Sequence, residues 1–250
     1  MPTHRAVPER VFLTAEWRSL VMVNIGVDPK LLEPLVPRGT ELDTWEGRHY
    51  VSVVGFRFLR TRVLGIPIPF HENFDELNLR FYVRRTVDGD VRRGVVFVRE
   101  VVPKWAIAAV ARWVYGENYI SLPMRSDVRL DGGAGAAGYA EYSWRLRGEW
   151  GRLRASCNGP SQPLVPGSEA EFITEHYWGY ARQRDGSTVE YQVEHPPWRV
   201  WTATDHTFSA DTRSLYGEAF GEALAVPATS VFIAEGSPIV VRRGFRLRDA

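Results

Sequence analysis

The stretch Phe74 to Val83, FDELNLRFYV, constrains the fold most, because its side chains alternate in character. Strand side chains point to opposite faces with period two, so Leu77, Leu79, Phe81 and Val83 share one face. Glu76, Asn78, Arg80, Tyr82 and Arg84 share the other. Asp88-Gly89 then supplies the residue pair preferred where both positions of a hairpin turn need positive φ. Val95 to Val102 is the mostly apolar return strand, interrupted near its end by Arg99 and Glu100. The polar row has two readings. It either faces water, as one face of an antiparallel sheet commonly does, or lines a cavity, as interior positions do in barrels wide enough for a ligand.

After this hairpin, Pro103 suits the first position of a helix, where no amide hydrogen is needed. Ala106, Ala108, Ala109 and Ala111 favour that helix and Gly116 is a natural stop. Lys104 falls in its first turn. Lys30 and Lys104 are the only lysines in a chain whose other cationic side chains are arginines. A lysine at a helix N-terminus opposes the helix dipole, and shielding from water would lower its pKa further. The residues leave open whether Lys104 is a reactive amine or a surface cation.

The rest of the chain continues in short strands. Val11 to Val27 reads as a strand region, and Asp28-Pro29 as the cap and first turn of a short helix. Leu42 to Trp45 and His49 to Leu59 read as a hairpin across Glu46-Gly47, and 62–70 as a loop of little regularity. A strand is expected from Ile120 to Leu130. Tyr139 to Arg147 and Arg152 to Cys157 pair across residues 148–151. Ser168 and Glu171 have capping-box spacing ahead of a short helix. Trp178 to Arg182 and Thr188 to His195 make a hairpin across Asp185-Gly186, Thr212 to Phe220 a short helix, and Val231 to Leu247 the closing strands. These elements argue for a mainly β, predominantly antiparallel fold with a few short helices, as a single domain over residues 1–250.

Several functions are disfavoured. A formal net charge of +1 gives no bulk attraction for nucleic acid or an anionic membrane. No apolar run is long enough to span a bilayer, and MPTHRAVPER lacks the apolar core of a signal peptide. Cys157 is the single cysteine, which excludes an intramolecular disulfide and fits a cytoplasmic protein. The six histidines are scattered, with no pair at helical metal-ligand spacing, so no metal and no cofactor is expected. Gly133, Gly135 and Gly138 match the letters of a dinucleotide-binding turn, but the following Tyr139 to Leu146 alternates like a strand and not a helix.

Candidate site residues come from the polar row and its surroundings. Glu76, Arg80, Tyr82, Arg99, Glu100 and Tyr119 offer acid, guanidinium and phenol groups to a small polar guest. His176 and His195 belong to strands expected to pair, and Trp198 is placed to wall a pocket.

Several segments together resemble a known family: Asp28-Pro29 followed by Leu35-Val36-Pro37, FDELNLRFYV at 74–83, VREVVPKWAIAAVARWVYGENY at 98–119, and FITEHYWGY at 172–180. The chain looks like the YqjF-like family of uncharacterised bacterial proteins, and more distantly resembles acetoacetate decarboxylase. The resemblance covers nearly the whole chain and implies an antiparallel β-barrel-like fold. It also implies chemistry, since acetoacetate decarboxylase forms a Schiff base between a lysine of depressed pKa and a β-keto acid. Phe74-Asp75-Glu76 resembles the segment that supplies an active-site glutamate there, and Pro103-Lys104 the start of the catalytic Pro-Lys-Lys segment. Trp105 stands where the second lysine would be.

Three functional expectations follow. The preferred one is a small-molecule-binding barrel with a polar internal pocket, its ligand a carboxylate or keto acid. The second is a Schiff-base enzyme with Lys104 as nucleophile, Glu76 as proton shuttle and Arg80 or Arg99 holding a carboxylate. The third is a homodimeric interaction module with an exposed aromatic surface.

Overall fold

A computed structural model describes residues 10–104, 118–130 and 137–247. The helix expected after Pro103, including Trp105 and Trp113, and most of the glycine-rich loop lie outside the described residues.

The strands, in chain order, begin with β1 (Val11–Val27), β2 (Glu41–Leu42), β3 (His49–Val63), β4 (Ile66–Pro67), β5 (Phe74–Val87) and β6 (Asp90–Val102). There follow β7 (Tyr119–Ser121), β8 (Met124–Arg129), β9 (Ala137–Leu146), β10 (Glu149–Asn158) and β11 (Gln162–Pro163). The last are β12 (Trp178–Arg182), β13 (Thr188–Glu194), β14 (Arg199–Thr202), β15 (Asp205–Ser209), β16 (Ser230–Arg242) and β17 (Phe245–Arg246). Short helices cover Pro29–Leu32, Glu169–Thr174, Thr212–Tyr216 and Glu218–Ala223. Asp28 and Ser168 cap the first two as their sequences require.

In the larger sheet the pairings run in a closed circuit: β16 to β1, β3, β5, β6, β12, β13 and back to β16. Strands β8, β9, β10 and β15 form a second, four-stranded sheet. The fold is mainly β and predominantly antiparallel, but the wholly antiparallel barrel that the resemblance implies is corrected to a mixed sheet. β12 and β7 both pair with β6 in parallel, at Gly94–Val95 and at Glu100–Val102 respectively. β6 spends one edge on its hairpin partner β5, and the chain returns to the other edge twice, each time after a long excursion.

Other elements also differ. The hairpin expected across Glu46-Gly47 keeps only a Trp45–Arg48 bridge, because β2 pairs with β5, and the helix expected at Thr212 to Phe220 is two, parted at Gly217. The expected strand from Ile120 to Leu130 is two, because β7 joins the larger sheet and β8 the smaller, with Leu122-Pro123 between them. β9 and β10 join through a tight turn in which Arg147 and Gly148 carry φ of 50° and 95°, so the return strand already starts at Glu149. Part of the irregular stretch 62–70 folds back as β4 on the end of β3.

Strand β5 is buried on both faces. Leu77, Leu79, Phe81 and Val83 join Val21, Val23, Val51 and Val53 against Ala140, Tyr142, Trp144 and Leu153 of the second sheet. Burying each of those four β5 side chains is worth about 1.5–3 kcal/mol at most. The opposite row, from Phe74 through Tyr82, turns into the circuit, where Tyr50, Phe56, Phe58, Phe172 and Tyr191 form a second core. From Glu76 to Tyr82 the polar row therefore faces neither water nor the second sheet, and only Arg84 at its end is exposed.

Candidate functional site

The interior of the circuit holds a cavity of about 220 Å³. Its polar lining comes mainly from β5 and β6: Glu76, Asn78 and Arg80 from one, Glu100 from the other, with Tyr119 from β7 and His176 from just before β12. Trp17, Phe56, Phe58, Phe74, Phe97 and Tyr191 make an aromatic wall. Phe58 and Phe74 stack with centroids 4.6 Å apart, and Trp17 stands edge-on to Phe56 and Phe58.

A β-bulge explains how Phe97 and Glu100 share this lining. The register passes from Leu79↔Arg99 to Arg80↔Phe97, leaving Val98 as the extra residue. The bulge reverses the inward parity of β6. Phe97 faces inward beside Arg80, Glu100 faces inward beside Asn78, and Arg99 is turned to the other side.

The polar groups fall into an acidic and a basic end. Glu76 is 2 % exposed and accepts hydrogen bonds from Asn78 Nδ2 (3.1 Å) and the Tyr119 hydroxyl (3.3 Å). Burial raises its pKa from 4.5 to about 7, against the pull of those two bonds and of Arg80. Burial together with the charges of Glu100 and Glu76 holds the Tyr119 phenol well above its ordinary value, so it stays a donor. At the basic end, Arg80 donates from Nε to the Tyr82 hydroxyl (3.4 Å) and from Nη2 to the Ile173 carbonyl (3.1 Å). A guanidinium carries five N–H donors, so these two bonds leave others for a guest. His176 is 6 % exposed, and burial with the nearby Arg93 and Arg80 depresses its pKa strongly, so the imidazole is neutral.

Behind Arg80 runs a chain of hydrogen bonds, buried from Tyr82 to Asn24 and part-buried beyond. Tyr82 and Ser52 hydroxyls meet at 2.6 Å, and Ser52 donates to Asn24 Oδ1 at 2.6 Å. Tyr82 is therefore the donor to Ser52. Asn24 Nδ2 donates to Ser230 at 3.0 Å, and Ser230 to Glu169. All donors point one way, from a cation at the cavity to a carboxylate on the helix Glu169–Thr174. That polarity fixes the Arg80 side chain in place.

Of the residues nominated from sequence, Glu76, Arg80, Glu100, Tyr119 and His176 come together, and Tyr82 stands one bond behind Arg80. The others lie elsewhere. Arg99 is on the opposite face because of the bulge, donating to the Leu215 carbonyl at 2.6 Å. His195 is stacked between Trp198 (4.4 Å) and Tyr177 (4.8 Å), outside the lining. Trp198 supports the wall from behind, edge-on to Trp17 and anchored by its indole N–H to Ser237. Lys104 is half-buried but not among the described lining residues, and its ammonium donates to the Phe70 carbonyl. Sequence reasoning placed Asn78 on the polar row without nominating it, although its parity with Glu76 and Arg80 was the available signal.

Known proteins are similar to this chain at two levels. Uncharacterized protein YqjF of Bacillus subtilis (strain 168) is 27 % identical over 202 residues, 79 % of each chain. The enduracididine biosynthesis enzyme MppR, solved with pyruvate, superposes with a TM-score of 0.67 at 16 % identity, covering 99 % of this chain and 94 % of its own. Acetoacetate decarboxylase from Legionella pneumophila subsp. pneumophila str. Philadelphia 1 gives 0.68 at 14 % identity, covering 99 % and 92 %. At such identities the likeness to the two enzymes is one of fold. Residues 14–238 match the DUF2071 model, described as an uncharacterized conserved protein, and the chain belongs to that family.

Proposed function

We propose that this protein binds a small carboxylate-bearing molecule in the barrel-like interior of the circuit, with the carboxylate on Arg80 and the apolar remainder on the aromatic wall. The observation that carries this reading is Arg80 itself. It is a cation 8 % exposed, fixed from behind by Tyr82 and Ile173, and lining a cavity whose other walls are mostly apolar, aromatic and aliphatic together. A desolvated guanidinium with donors to spare binds carboxylate strongly. The relatives' fold supports it, since MppR was solved with pyruvate. The protein is expected to act in the cytoplasm, in keeping with its one free, buried cysteine.

A thermal-shift screen tests the proposal with pyruvate, acetoacetate, 3-phenylpropionate, phenylpyruvate and 3-phenyllactate beside their amides. Acids that raise the melting temperature while the amides do not support it. Silence from every acid sinks it.

A second reading, a Schiff-base enzyme acting on a keto acid, is favoured by the position of Lys104 near the cavity rim. Its partner Phe70 belongs to the same loop as Ile68 and His71, which line the cavity. For that chemistry the amine would have to leave the Phe70 carbonyl and enter. Borohydride reduction with pyruvate or acetoacetate would then leave a mass adduct on Lys104, absent in Lys104→Arg. An unmodified wild type rejects this reading while leaving the binding proposal intact.

A further inference from the structure

Several cavity side chains carry a buried polar atom without a hydrogen bond, among them Trp17 Nε1 and Thr61 Oγ1, and two of them, Asn78 and His176, flank Arg80. Asn78 is 2 % exposed; its Nδ2 is committed to Glu76, while its Oδ1 accepts no hydrogen bond. His176 has neither ring nitrogen in a formed hydrogen bond: Asp43 is 3.9 Å from Nε2, and only the Ile173 carbonyl, already used by Arg80, counteracts its low pKa. Leaving a buried polar group unsatisfied costs about 1–3 kcal/mol. Both lie on the cavity wall, so a guest can satisfy them.

Their placement restricts that guest. Asn78 and Arg80 are same-face neighbours on β5, roughly 7 Å apart along the strand. His176 lies near Arg80, packed on the Tyr82 ring at 4.6 Å. The neutral imidazole supplies one N–H donor beside the guanidinium, which suits a carboxylate. At the other end Asn78 Oδ1 is an acceptor that no donor of the protein reaches. A keto oxygen arriving there would set acceptor against acceptor. A hydroxyl or ammonium group would bring the donor that Asn78 lacks.

We propose that Asn78 is the specificity-determining contact that selects a 2-hydroxy or 2-amino acid with an apolar side chain over the corresponding keto acid, while His176 joins Arg80 in binding the carboxylate common to them. The carboxylate sits between Arg80 and His176, and the neighbouring hydroxyl or ammonium donates to Asn78 Oδ1. This inference rests on the carboxylate-binding reading and sharpens it to a ligand class.

Calorimetric titration with 3-phenyllactate, L-phenylalanine, phenylpyruvate and 3-phenylpropionate tests it. The two apolar-tailed controls lack the donor, and the first two acids separate hydroxyl from ammonium. Wild type is expected to bind at least one donor-bearing acid about tenfold or more tightly than either control. Asn78→Leu should bring the acids to within about threefold, while Asn78→Asp, which keeps an acceptor, preserves the order. His176→Phe should weaken all the acids together and leave the preference standing. Phenylpyruvate binding as tightly as both donor-bearing acids, or a preference that survives Asn78→Leu, overturns the inference. Should Asn78→Leu not fold, the wild-type order and His176→Phe still decide it. Equal binding of all four acids removes this inference alone, whereas no binding by any of them removes the carboxylate site as well.

Discussion

Two opposing influences act on Glu76. Burial penalises its ionised form, while Asn78, Tyr119 and Arg80 favour it, and burial prevails to give a pKa of about 7. The folded value lies above the ordinary 4.5, so between the two values the folded protein keeps a proton that the unfolded chain has released. Stability therefore falls as pH rises across that window and stays lower above it, by about 3 kcal/mol in all. Glu76→Gln has nothing to titrate there. Chemical denaturation should find it gaining on wild type from pH 4.5 towards pH 8 (about 3 kcal/mol overall). A constant difference between the two proteins across that range would contradict a proton held on Glu76. The residue itself was legible in the sequence, through its parity on FDELNLRFYV. Its environment was not, because alternation places a side chain on a face without saying what covers the face.

At the scale of elements, legibility depended on whether the signal was local. The Asp28 and Ser168 caps, the Asp88-Gly89 hairpin and β1 itself were readable because each depends on a few consecutive residues. The bulge at Val98 was not, since an extra residue is defined only against the partner strand, and with it Arg99 was read as a pocket residue. Parallel pairing of β12 and β7 on one edge of β6 was hidden for the same reason. Two element-level contacts are testable. Glu190 on β13 is fully buried between Arg85 and Arg92, which reach it from the β5–β6 hairpin. Glu190→Ala should cost roughly 2–3 kcal/mol in urea unfolding, below the usual range for a fully buried pair because both arginines keep some contact with water. A loss under about 0.5 kcal/mol would show that the pair does not tie β13 to that hairpin. Gly236, opposite Arg18 where β16 crosses β1, has φ 76°, and a Cβ there would stand 2.0 Å from the Trp17 carbonyl oxygen. Gly236→Ala should destabilise by about 2–4 kcal/mol and disturb the Trp17 wall of the cavity. A variant as stable as wild type would contradict the close approach.

For the whole molecule, the two ends of the chain close the circuit together. β1 pairs along its length with β16, and β16 also meets β13 and β14. No local segment can substitute for β16, so ending the chain after Thr229 should abolish cooperative unfolding by circular dichroism. A truncated protein that still melted sharply would contradict this dependence. Contacts between strands some two hundred residues apart escape sequence reading, because periodicity reports what a strand buries and not which strand it meets. A homodimer formed through an exposed aromatic surface would draw on Phe70, Trp150 and Phe245, the exposed Phe and Trp side chains among the described residues. Light scattering that finds only monomer removes it.

We infer that Arg80, a cation held inside the circuit, receives the carboxylate of the guest. The most direct test of this role is isothermal titration of 3-phenyllactate into wild type and into Arg80→Gln, with circular dichroism showing both folded. The variant is expected to lose about tenfold or more in affinity, the range expected when a charged hydrogen bond is removed. Equal affinity in the two proteins would contradict it.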